Sequence, residues 1–169
     1  MRRLLDLLYD GAAWLAGLAM VGVLAMVLLA IVSRQLGFHV PGTDAYAGYS
    51  MAAAGFLALA HTLKRNEHIR VTLLLGRLTG RSRQALEMWA HSAGVLLAGL
   101  FAWYSVRLAW VSHAFNDIST GNDATPLWIP QIGMAAGTVI LLIALIDEWV
   151  LQWRGRAPQA APGEVLHNE

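Results

Sequence analysis

Four stretches of this 169-residue chain carry no Asp, Glu, Lys or Arg, and they limit what it can fold into more than any other feature. They run from Gly11 to Ser33, Ala45 to Leu63, Met88 to Val106 and Ala124 to Ile146. Each is roughly 19–23 residues, near the ~20 a helix needs to cross a ~30 Å hydrocarbon core. In lipid the backbone must satisfy its own hydrogen bonds, so each run predicts a helix. A soluble bundle would place charges opposite one apolar stripe on each helix, and these runs have no charged face. The composition agrees: 57% of residues are hydrophobic and 14% are charged, against about 25% charged in a soluble domain.

The chain therefore reads as an all-α membrane protein. Residues 1–152 form a domain of four transmembrane helices, with spans at about 11–33, 45–64, 86–110 and 126–150, and 153–169 form a flexible tail. The first run is longer than the apolar core of a signal peptide and ends Ile31-Val32-Ser33-Arg34, with no small-x-small cleavage site. It is expected to be a retained helix.

Lys and Arg set the orientation. Arg2, Arg3, Lys64, Arg65, Arg70, Arg77, Arg81, Arg83, Arg154 and Arg156 fall on one side of the four runs, and only Arg34 and Arg107 on the other. The positive-inside rule puts both termini and the central loop in the cytoplasm. Tyr46, Tyr49, Trp103, Tyr104, Trp110, Trp128, Trp149 and Trp153 lie near run ends, the belt expected of rings with one apolar and one wet side. His68 to Leu78 mixes apolar and basic residues, which predicts a short amphipathic helix in the inner headgroup plane. Arg70 and Arg77 within it, with Lys64 and Arg65 just before it, are candidate headgroup contacts.

Small residues form two stripes. Ala45, Gly48, Ala52 and Gly55 share a face of the second helix, and Gly133 and Gly137 form a GxxxG pair in the fourth. Such stripes let another backbone approach closely. The sequence does not divide them between packing inside the bundle and docking to another membrane protein.

Little points to chemistry. There is no Cys, and the formal net charge of +1 gives no bias towards nucleic acid. No ionisable residue sits at the centre of a run, where ion and substrate paths usually place one. No broken helix marks a midplane transport site. His61 and His91 lie near the inner ends of two helices, so a bis-His haem site in a redox anchor subunit is one alternative. A stand-alone small transporter is another. Neither a cofactor nor a catalytic group is otherwise called for.

The order of features resembles the small membrane subunit (Q-type, small permease) of tripartite ATP-independent periplasmic (TRAP) transporters, over about residues 10–152. The likeness rests on Arg34 closing the first helix and Asp44 opening the second, and on Gly55-Phe56-Leu57-Ala58-Leu59-Ala60-His61-Thr62-Leu63-Lys64-Arg65. It rests also on Asn66-Glu67-His68-Ile69-Arg70-Val71, and on Ser119-Thr120-Gly121 with Thr125-Pro126-Leu127-Trp128-Ile129-Pro130. The chain departs from the family's pattern at Asp44, where Glu is common, and at Thr72, where an acidic residue is common. It also lacks a second Pro within the last helix.

The resemblance implies a secondary transporter of three parts in a bacterial inner membrane. A periplasmic binding protein delivers a small solute, typically an organic acid. A large membrane subunit holds substrate and sodium sites and moves as an elevator. The small, non-catalytic subunit braces the large one. On that reading Gly48, Ala52, Gly55, Gly133 and Gly137 pack helices or meet the large subunit. Arg34 and Asp44 pair on the periplasmic side. Asp117, Asp123, Pro126 and Trp128 are candidates to touch the binding protein.

Overall fold

A computed structural model describes residues 2–64, 81–121 and 123–153. Its helices are α1 (Arg2–Gln35), α2 (Thr43–Lys64), α3 (Arg81–Ala114) and α4 (Trp128–Trp153). The central loop, with Arg65, Arg70, Arg77 and the expected interfacial helix, lies outside the described residues, as does the tail from residue 154.

Local chemistry sets the helix ends. Gly37 follows α1 at φ +72°. Its N–H donates to Arg34 O, and Phe38 N–H donates to Ser33 O at 3.0 Å, the paired bonds of a Schellman cap. Asn116 ends α3 the same way at φ +52°: its N–H donates to His113 O, and Asp117 N–H to Ser112 O at 2.9 Å. Asn tolerates this left-handed conformation better than most residues. Asp44 sits in the first turn of α2, where its charge meets the positive end of the helix. Pro130 sits in the first turn of α4, where its missing N–H costs no helical bond.

The helices pair as two hairpins, α1 with α2 and α3 with α4, and α2 packs on α4 to join them. Their order across the bundle is α1, α2, α4, α3, with a small α1–α4 contact. One end carries the start of α1 and the end of α4, and the other carries the α1–α2 and α3–α4 loops. They are called here the terminal end and the loop end.

The core is built of small residues. Ala12, Ala16, Ala54, Ala60, Ala98, Ala102, Ala135 and Ala144 are buried, with Leu57 and Tyr9. Leu18, Leu24, Leu28, Leu96, Leu97 and Trp103 are exposed. This is the inverse of a soluble bundle. Lipid does not drive leucines together, so helices approach through small side chains and leave large ones to the chains around them.

By length and composition α1, α3 and α4 can each cross a membrane. α2 is not among them. Its 22 residues are rich in Ala and Gly and carry Tyr46, Tyr49, Ser50, His61 and Thr62, so a run without charge is not thereby strongly apolar.

Candidate functional site

The two small-residue stripes have different environments. On α4 a Cβ added at Gly137 would stand 2.5 Å from the Phe56 carbonyl carbon and 2.6 Å from its oxygen. One at Gly133 would stand 3.0 Å from Ala53 Cβ. Both glycines are thus where the backbones of α2 and α4 meet. On α2 a Cβ at Gly48 or Gly55 would meet nothing within 4 Å. Gly48, Ala52 and Gly55 are exposed, and Met51 beside them is 68% exposed. Ala53 and Phe56 turn to α4, and Leu57 packs with Ala12 and Ala16 of α1. The chain's own helices therefore cover two sides of α2 and leave the glycine side open.

The α3–α4 loop folds back on itself. Ile118 and Pro126 form an antiparallel bridge, Ser119 N–H donates to Thr125 O at 2.8 Å, and Leu127 N–H donates to Asp117 O at 2.9 Å. Asp123 lies in the turn between. Its Oδ1 accepts from the Ser119 hydroxyl at 2.8 Å and its Oδ2 from the Tyr49 hydroxyl of α2 at 3.1 Å. Tyr49 Oη and Ser119 Oγ are 3.0 Å apart, as are Thr125 Oγ1 and Tyr46 Oη. The hydroxyls of Thr125, Ser119 and Tyr49 hold the Asp123 carboxyl down at about 2, from its ordinary 3.8.

Asp123 thus has both oxygens engaged within the chain, whereas Asp117 and Pro126 are exposed. Trp128 stands edge-on to His113, with ring centroids 5.2 Å apart. Arg34 and Asp44 are both exposed, and no ion pair joins them among the described residues.

At the terminal end the polar contacts lie within each hairpin. Asp6 pairs with Lys64, whose ammonium sits 4.6 Å from the centroid of the Tyr9 ring. Lys64 therefore has partners in its own chain besides any headgroup. Asp10 lies 3.7 Å from His61, and Glu148 lies 3.7 Å from His91. Trp149 Nε1 donates to Ser92 Oγ at 3.0 Å. The two histidines approach carboxylates on different helices, α1 for His61 and α4 for His91. No group of His, Asp and Glu among the described residues is suited to a metal ion.

Sequence reasoning missed the partners of Asp123, namely Tyr49, Ser119 and Thr125, and the pairs made by Asp6 and Asp10. The spacing of Asp6 and Asp10 by four, and of His61 and Lys64 by three, was the available signal, since it puts two matching groups on each helix face.

A search of curated proteins returned no match. The family model described as "Tripartite ATP-independent periplasmic transporters, DctQ component" matches residues 23–155, which takes in the end of α1 from residue 23 and all of α2, α3 and α4. The chain therefore belongs to the DctQ family, the small membrane component of TRAP transporters.

Proposed function

We propose that this protein is the non-catalytic brace of a sodium-gradient-driven symporter that takes up a small organic acid. It holds the large membrane subunit through the open face of α2, in a bacterial inner membrane with both termini cytoplasmic. Here α2 is the fourth span, carried between α1 and α4. One observation supports this reading above the rest: Gly48, Ala52 and Gly55 form a close-approach face that no helix uses among the described residues, while Gly133 and Gly137 are spent on internal packing. The family supplies the partner, a large subunit in the same bilayer. Lys64, Arg65, Arg70 and Arg77 hold the cytoplasmic side to anionic headgroups. Asp117, Pro126 and Trp128 meet the periplasmic binding protein, with Asp123 shaping the turn between them.

Co-purification tests the assignment. Gly48→Leu with Gly55→Leu puts bulk into open space, so the chain should fold and insert as before. Recovery of the large subunit should fall by about tenfold or more, the equivalent of ~1.4 kcal/mol. Full recovery from native membranes would sink the proposal.

A further inference from the structure

The seam between the two hairpins changes character along its length. In its middle it is apolar and made of small groups, with Gly133 on Ala53 and Gly137 on Phe56. At the loop end it is polar and centred on one carboxylate. We infer that Asp123 is a register latch: it fixes the height and rotation of the α3–α4 hairpin against the first turns of α2, and so keeps the loop end in one shape.

Three independent features support it. First, Asp123 ties elements far apart in sequence, since Tyr49 belongs to α2 and Ser119 to the α3–α4 loop. Tyr49 Oη also lies 3.0 Å from Ser119 Oγ, so the two hydroxyls sit side by side on the carboxylate, and Thr125 with Tyr46 adds a second bond across the seam.

Second, two glycines make room for this side chain. A Cβ at Gly42, in the α1–α2 loop, would stand 2.8 Å from Asp123 Cβ, and Gly42 also has φ +82°. A Cβ at Gly121 would stand 2.7 Å from Asp123 Oδ1. A larger residue at either position would push the carboxylate off its partners.

Third, Ala124 is held at φ +46°, a left-handed conformation disfavoured for any residue with a Cβ. The bonds on either side of it, at Asp123 and Thr125, hold it there.

Hydrogen bonds suit this task. Hydrogen bonds weaken steeply with angle and distance, so they select one register. The carboxylate stays ionised down to a pH of about 2, so the latch is closed throughout the physiological range. Its value to a brace, which rests on the function proposed above, is that the loop end keeps its shape while the partner moves.

Amide hydrogen exchange on the purified full-length chain tests the latch without any partner. Asp123→Ala should speed exchange at Ser119 and Leu127 by about tenfold or more and leave the middle of α4 protected. Tyr49→Phe removes one hydroxyl and adds no volume, so it should give a smaller increase at the same amides even if Asp123→Ala fails to fold. Wild-type exchange at Ser119 and Leu127 in Tyr49→Phe would overturn the latch. Failure of the wild-type chain to hold a large subunit would overturn the bracing function instead, and exchange would still report on the latch.

Discussion

Two faces of this bundle carry glycines at helical spacing, and they meet different fates. Gly133 and Gly137 on α4 are pressed against α2, so closely that one added carbon at Gly137 would overlap the backbone of Phe56. Gly48 and Gly55 on α2 look into open space. The same residue type at similar spacing thus marks an internal seam in one helix and an unused surface in the next. A small-residue stripe announces that a backbone can come close. It does not say whose backbone. That depends on the neighbouring side chains: Ala53, Phe56, Leu57 and Ala60 commit two sides of α2 to its own chain and leave the third.

Substitutions can break this contrast. The largest effect is expected at Gly137→Ala, where the added carbon meets main chain that cannot rotate away. It should destabilise the bundle by up to ~3 kcal/mol in reversible denaturation from detergent, as overpacking does elsewhere. Gly133→Ala meets the Cβ of Ala53 at 3.0 Å and should cost about 1 kcal/mol by the same measurement. Gly55→Ala should have the opposite sign, a gain of up to ~1 kcal/mol, because alanine is the better helix former and nothing opposes it. Equal losses at Gly55 and Gly137 would erase the distinction between the faces.

The smallest effect is confined to the loop end. The Asp123 carboxyl is depressed in the folded protein from 3.8 to about 2. Its contribution is therefore complete above a pH of about 4 and is lost as pH falls through that interval towards 2. Exchange at Ser119 and Leu127, corrected for intrinsic rates, should be flat from pH 7 to pH 5 and rise only below about 4. A rise near pH 6 would implicate a histidine in place of Asp123.

The helices were legible because a charge-free run of sufficient length has few other structures open to it. The extent of α1 was less so. The expected span begins at about residue 11, yet α1 includes Asp6 and Asp10 and reaches back to Arg2. Their partners Lys64 and His61 lie on another helix, at a separation no local pattern encodes.

The environment of Asp123 was hidden most completely. Asp117 and Asp123 look alike in sequence, two aspartates in one polar loop. The turn that brings Ser119 onto its carboxylate and the approach of Tyr49, 74 positions away, separate the engaged aspartate from the exposed one. The division of the glycine stripes was hidden in the same way, because it is decided by which helix lies opposite.

The open face of α2 carries the central claim, and the chain's lack of native cysteine makes it directly addressable. A single Ala52→Cys variant, treated in native membranes with a short bifunctional thiol–amine reagent, should form one adduct with the large subunit. Leu97→Cys on the exposed side of α3 should form none. Adducts from Leu97→Cys alone, with none from Ala52→Cys, would contradict the account.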